Sequence, residues 1–255
     1  MSAHRIRTLL ATGGVVVAAL GVTGCGAADV GGAPVERKSF AFSGDTLTID
    51  SDNSDLEIVP GDVKDIRVTR QVDGWVFLGD GPNPSWRMEG SKLVLRLECD
   101  AVASNCGARH TVTVPRNVVV TVEDENGDVT ADGFATPLTV RTENGDVRVR
   151  NHGAGPLDLG TDNGDLHLES GSPKTVAAQS ENGDVTLAVR AVPQKVDVTS
   201  DNGDIDVRLP GGSSYAVTAS ADNGDVSVKV PDDKSSANQV SARSENGDVV
   251  VRTAN

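Results

Sequence analysis

The chain has 255 residues, a formal net charge of −14, 28 glycines and 3% aromatic residues. A chain this acidic lacks the basic face that a nucleic-acid binder needs to neutralise phosphates. Three cysteines without a Cys-x-x-Cys pair exclude a disulfide-dense scaffold and a cysteine-built metal site, four scattered histidines argue against a zinc enzyme, and the core must be packed with Val, Leu, Ile and Ala.

The N-terminus reads as an address. Arg5 and Arg7 precede an apolar run over residues 9–22, too short for the ~20 residues that cross a bilayer. A charged start, a short apolar stretch and small residues before a cut make an export signal. It ends in Val22-Thr23-Gly24-Cys25, which resembles a bacterial lipobox. In that reading Thr23 and Gly24 lie extended in a peptidase groove, diacylglycerol joins the Cys25 thiol, and cleavage falls just before it. The expectation is a signal peptide over 1–24, a lipoprotein carrying palmitate-type chains on Cys25, a flexible tether over 25–38 and one repeat domain over 39–255. The protein is then held at the extracytoplasmic face of the cell membrane. Losing 1–24 removes two arginines and no acid, so only the lipid holds this acidic body to an anionic bilayer.

Leu47, Ile49, Leu56 and Ile58 alternate around Asp52-Asn53-Ser54-Asp55, an early strand–turn–strand unit. Further strands are expected at 66–68, 93–97 and 112–115. Residues 73–90 interrupt the pattern and hold Trp75, Phe77 and Trp86. These rings read either as a lid over a stacked core or as a ligand-binding patch. Cys99 and Cys106, seven positions apart in an exported domain, are expected to form a disulfide that closes the loop 100–105.

Downstream the body is a repeat. The tetrapeptide [D/E]-N-G-D occurs seven times, at steps of 18, 19, 19, 20, 21 and 23 residues. Its turn pairs are Asn126-Gly127, Asn144-Gly145, Asn163-Gly164, Asn182-Gly183, Asn202-Gly203, Asn223-Gly224 and Asn246-Gly247, followed by Asp128, Asp146, Asp165, Asp184, Asp204, Asp225 and Asp248. Counted from each Asn, positions −6, −4, +3 and +5 are aliphatic, from Val120, Val122, Val129 and Ala131 in the first copy to Val240, Ala242, Val249 and Val251 in the last. Period two on both sides of a turn means two short strands per unit with one face buried. Asn-Gly in isolation predicts a hairpin, and an antiparallel meander is the alternative fold. The identical inward positions in every unit favour an all-β parallel solenoid, right-handed by the crossover preference, with N-G-D turning a corner and about 11 rungs of ~19 residues. Insertions gather in the other turn, and the last rung is expected to leave an open edge at 252–255 through which the protein self-associates.

The run V-T-V-P-R-N-V-V-V-T-V-E-D-E-N-G-D-V-T, followed by recurring T-E-N-G-D-V-x-V, resembles a bacterial β-strand-repeat family of unknown function labelled "putative adhesin". The resemblance implies an envelope-facing β-solenoid and supplies no catalytic residues.

Stacking places the seven Asp residues in one column, with like charges ~5 Å apart repelling by roughly 0.8 kcal/mol in water. Two readings stand: a calcium ladder, or a structural row whose carboxylates accept backbone N–H bonds within the turn. No other cofactor is expected. Thr142, Thr161, Ser180, Ser200 and Ser244 at position −2 read as a hydroxyl ladder rather than nucleophiles, and His152 and His167 as an exposed pair on adjacent rungs. Two functions compete. One is a non-catalytic, membrane-anchored scaffold for a cell-wall glycan or a surface protein. The other is a polysaccharide-lyase-like enzyme, which needs acids clustered with a base in a groove. A uniform acid column suits the scaffold better.

Overall fold

The structure, a computed structural model, describes residues 30–254. The export segment, Cys25 and the first residues of the tether lie outside the described residues. Among the described residues a 3-10 turn at Val30–Gly32 precedes 19 strands, and no helix is long and apolar enough to cross a membrane. The strands are β1 (Glu36–Phe40), β2 (Thr46–Asn53), β3 (Asp55–Gly61), β4 (Ile66–Glu89), β5 (Lys92–Pro115), β6 (Val119–Asn126) and β7 (Val129–Asp132). Then follow β8 (Leu138–Asn144), β9 (Val147–Arg150), β10 (Leu157–Asn163), β11 (Leu166–Gly171), β12 (Thr175–Asn182) and β13 (Val185–Val189). The chain ends with β14 (Lys195–Asn202), β15 (Ile205–Leu209), β16 (Ala216–Asn223), β17 (Val226–Lys229), β18 (Gln239–Asn246) and β19 (Val249–Thr253).

Each even-numbered strand from β6 onward runs into an N-G-D corner, and the next strand leaves it. Equivalent strands pair in parallel and in register: Val120 lies beside Leu138, Leu138 beside Leu157, and Leu157 beside Val176. On the other face Val129, Val147, Leu166 and Val185 make the same kind of row. The fold is therefore a parallel β-solenoid, and the antiparallel alternative fails throughout the repeats. The aliphatic rows are buried. A buried Val or Leu contributes about 1.5–3 kcal/mol, against roughly 1 kcal/mol for a hydrogen bond, so these rows hold the coil together and the polar corners set its register.

The threading departs from chain order at both ends. The first unit, β2–β3, lies between β5 and the β6–β7 rung, with Leu47 beside Val120, Asn53 beside Asn126 and Leu56 beside Val129. The last unit in sequence, β18–β19, is inserted between β14–β15 and β16–β17. Both terminal units thus sit one layer inside the stack, where their backbone groups are paired on both sides. The open edge is not at 252–255, as the repeat order predicts, but at β16–β17, where Val226 and Val228 are exposed. A loop over residues 231–236 covers part of it: the Val217 N–H donates to Asp232 Oδ1 at 3.1 Å, and Lys234 Nζ donates to the Val217 carbonyl.

The other end is closed differently. β4 and β5 pair antiparallel along their whole length, and β5 lies against β2 with Leu93–Leu95 and against β3 with residues 109–115. This one hairpin uses some 50 residues for a single layer and its cover, so the stack holds nine two-strand layers rather than about eleven. Between the two halves, residues 73–83 and 98–107 leave the corner as a projecting two-stranded arm. The Cys99–Cys106 disulfide closes the β5 side of the arm, with a Cα–Cα distance of 6.7 Å.

The aromatic segment divides. Trp86 is half-buried against the core under the Arg70 guanidinium, 4.1 Å from its ring centroid, whereas Trp75 and Phe77 are exposed on the arm. The segment expected to be a tether through residue 38 is already sheet from Glu36, where β1 pairs antiparallel with β4. Val30 is buried, and Gln71 Nε2 donates to the carbonyls of Val30 and Ala33 at 3.2 and 3.1 Å. Gly- and Ala-rich composition concealed this docking, because it uses backbone carbonyls that composition does not reveal.

Candidate functional site

At each corner Asn, Gly and Asp turn the chain between the two faces. The glycines hold φ between 148° and 158° at Gly127, Gly145, Gly164, Gly183, Gly224 and Gly247, a region that favours glycine. A second reason is contact: a Cβ on Gly145 would lie 2.1 Å from the Gly127 carbonyl oxygen. Backbone pairing continues through the bend, as in Gly127 N–H to Asn144 O and Val129 N–H to Asp146 O, both 2.9 Å.

Two side-chain ladders climb the corner. Asn144 Nδ2 donates to Asn126 Oδ1 at 3.0 Å, and the pattern repeats through Asn163, Asn182, Asn202, Asn246 and Asn223, extending down to Asn53. The backbone N–H of Asp146 donates to Asp128 Oδ1 at 2.9 Å, with the same step at Asp165, Asp184, Asp204, Asp248 and Asp225. The carboxylates therefore accept from the neighbouring rung, not from within their own turn. Each such charge-assisted bond is worth roughly 1.5–3 kcal/mol, which exceeds the repulsion between neighbouring charges in water. Among the described residues no three His, Cys, Asp or Glu side chains converge as a metal site.

Just inside the corner is the hydroxyl row. Thr161, Ser180, Ser200 and Ser244 donate to the carbonyls of Gly145, Gly164, Gly183 and Gly203 at 2.9–3.2 Å. On the outside, Glu125, Glu143, Asp162 and Glu181 rim a groove of about 430 Å³. It opens where Gly160 carries no side chain and Arg141 lies across it, reaching Asp158 at 2.7 Å. At its lower end burial pushes the Asp50 carboxyl up, but Lys92 (2.5 Å) and Arg96 (2.8 Å) outweigh this and hold it below the usual range. Of the arginines near the corner, Arg243 reaches the acidic column, at Asp222, while Arg208 and Arg252 both engage Asp206.

The repeat region matches a known family. The family model described as Toastrack DUF4097 matches residues 112–255. The chain belongs to the Toastrack family. The matched stretch starts at Val112, in the second half of β5, so the arm and the first unit precede it. Two crystal structures share the Toastrack fold across nearly the whole domain. A "putative adhesin" from Bacteroides fragilis NCTC 9343 has a TM-score of 0.60 at 14% identity, covering 87% of this chain and 97% of that one. A "putative adhesin" from Parabacteroides merdae ATCC 43184 has a TM-score of 0.51 at 11% identity, covering 87% and 96%. No curated protein matches the chain.

The Toastrack hydroxyl row breaks at two rungs, at Ala221 in the layer that ends the stack and at Asp124. Position −2 of the copy at Asn126 is Asp124, 5% exposed, and neither of its carboxylate oxygens has a hydrogen-bond partner. Burial raises its pKa to about 7; the neighbouring Ser51 hydroxyl opposes this, while Asp52, Asp55 and Glu125 add to it. The Thr142 hydroxyl one rung above is also buried and unpartnered. Below, the Ser51 and Ser54 hydroxyl oxygens lie 2.9 Å apart and His110 Nδ1 is 3.0 Å from Ser54 Oγ. Burial, and then Arg70, lower the His110 pKa to about 4. The sequence reading does not contain this buried Asp-Ser-Ser-His line, although Asp124 shows there as the one acid among five hydroxyls and Ala221 at position −2. Asp124 and Ser51 line the inner wall of the groove that Glu125 and Glu143 rim, with little of either side chain exposed. His152 is buried beside the Gly155 carbonyl at 3.0 Å, and His167 faces Asp165 at 3.8 Å, so the expected exposed pair does not form.

Proposed function

We propose that the protein is a non-catalytic surface scaffold, anchored in the membrane through a lipid on Cys25, that binds an extended partner along its outer corner face. One observation carries this reading: the solvent-facing side chains beside the corner form a continuous column of Glu and Asp, rung after rung, instead of a single enclosed cluster of acids and bases. Such a face suits a polymer of repeating units, and its charge favours a neutral cell-wall glycan or a basic surface protein over an anionic chain. The adhesin description of the two crystal structures supports the same role. The reading is tested by a glycan array and a pull-down with the wild-type protein and with Glu143→Lys and Glu181→Lys on the groove rim. A ligand lost in both variants is expected. Polysaccharide cleavage by the purified protein, or binding indifferent to both reversals, overturns it. Mass spectrometry of the membrane fraction reads the anchor as a diacylglyceryl mass on a chain beginning at Cys25.

A further inference from the structure

The arm bears an apolar tip that the solenoid does not cover. Leu78 and Val102 are 71% and 80% exposed, with Phe77 and Trp75 beside them. Leu78 holds φ at 51°, a conformation that an L-residue with a bulky side chain rarely adopts; here it forms part of a protruding end. Residues 73–83 and 98–107 contain no Lys or Arg and four carboxylates, Asp73, Asp80, Glu98 and Asp100. The ribbon is tightly built, since a Cβ on Gly79 would lie 2.0 Å from the Asp100 carbonyl oxygen.

What lies opposite this tip follows from where the chain enters. Gln71, at the base of the arm, grips the carbonyls of Val30 and Ala33. Cys25 is five residues before Val30, a reach of at most ~17 Å. Along the strand, Trp75 and Phe77 lie about 13 and 20 Å beyond Gln71. An acylated Cys25 thus brings the bilayer surface to the height of the arm. An aromatic ring behind a cap of Phe, Leu and Val is the composition that settles at the boundary between headgroups and hydrocarbon.

We propose that the arm is a second membrane contact, whose tip of Trp75, Phe77, Leu78 and Val102 enters the outer surface of the bilayer in which the lipid on Cys25 is anchored. The proposal rests on the anchoring read above. It fixes the orientation of the solenoid: the β4 end faces the membrane, and the open edge at β16–β17, with the rungs leading to it, points away. The arm's carboxylates make the contact prefer zwitterionic lipid.

The test uses the full-length protein purified from bacterial membranes and reconstituted in phosphatidylcholine vesicles, with or without lipids brominated near the headgroup. Mass spectrometry reads acylation separately. If Cys25 is not acylated, its thiol, the one left outside the disulfide, is coupled to a maleimide lipid in the same vesicles, so the arm is read either way. Tryptophan emission is expected to fall at least twofold with brominated lipid, and this quenching is expected to disappear in Trp75→Phe and in Phe77→Asp/Leu78→Asp. Trp75 and these two side chains are exposed, so folding is retained, as circular dichroism checks. Vesicle-bound protein whose emission is unchanged by bromination, or quenched equally in Trp75→Phe, overturns the proposal. So does a dimer in which the tips shield each other, seen by sedimentation in vesicle-free buffer together with unquenched Trp75.

Discussion

Replacing Asp124 by Ser restores the hydroxyl that position −2 carries in the neighbouring rungs, and it should make the protein more stable at alkaline pH. In the folded chain the Asp124 carboxyl titrates at about 7 instead of 3.8. The unfolded chain therefore releases this proton first. Stability is undiminished below pH 4, falls as pH rises from 4 to 7, and stays low above. A difference of about 3 pH units corresponds to about 4 kcal/mol. Shortening Asp to Ser in a packed interior costs about 1 kcal/mol. The variant should thus gain about 3 kcal/mol at pH 8 and lie within about 1 kcal/mol of wild type at pH 4. His110 carries the opposite slope. With a folded pKa of about 4 against 6.5, its stability contribution is complete above pH 6.5 and is lost as pH falls to 4, by about 3 kcal/mol. In the wild type the two slopes oppose each other between pH 4 and 6.5, so its stability there should be nearly flat. Asp124→Ser should expose a rise of about 3 kcal/mol over the same interval. Urea unfolding at pH 4, 6 and 8, with unchanged m-values, measures this. A variant displaced from wild type by the same amount at pH 4 and pH 8 would refute a buried carboxyl that keeps its proton.

Three further outcomes follow from the corner. Gly164→Ala places a Cβ 2.1 Å from the Gly145 carbonyl oxygen at a φ of 155° and should cost several kcal/mol, seen as a melting temperature lowered by 10 °C or more. Ser180→Ala removes the buried 3.1 Å bond to the Gly164 carbonyl and should cost about 1 kcal/mol in urea unfolding. Because the Asp column accepts backbone N–H groups, EDTA and millimolar calcium should leave the melting temperature unchanged, and a calcium-dependent rise of several degrees would restore the cation reading of Asp128 through Asp248.

The repeat was legible because its period is local. Asn-Gly fixes the corner, period two fixes the inward side chains, and the rows at −6 and −4 stack as those positions predict in each rung that has neighbours on both sides. The threading was not legible. Nothing in a 19-residue period says that Val240 lies between Val196 and Val217, because any aliphatic unit can stack on any other. The only hints are the longest step, 23 residues, and the small Ala219 and Ala221 in the unit that ends the stack. The arm escaped for the same reason. Residues 93–97 and 112–115 read as separate strands, whereas they belong to two halves of one layer joined by an excursion that only long-range pairing with β4 reveals. The burial of Asp124 carries no local signal, because position −2 departs from a hydroxyl at Ala221 as well and an acid beside the corner is the rule in this chain.

The account stands most directly on which rung touches which. Thr199 faces Arg243, and Arg243 faces Ser220 on its other side, so Thr199 and Ser220 are two layers apart. In a Cys25→Ser background, Thr199→Cys with Arg243→Cys should form a disulfide on mild oxidation, at the separation of neighbouring strands, while Thr199→Cys with Ser220→Cys should remain reduced. Peptide mapping that finds the 199–220 bridge in high yield and no 199–243 bridge would contradict the inserted final rung, and a failure of both pairs would contradict the in-register parallel stack itself.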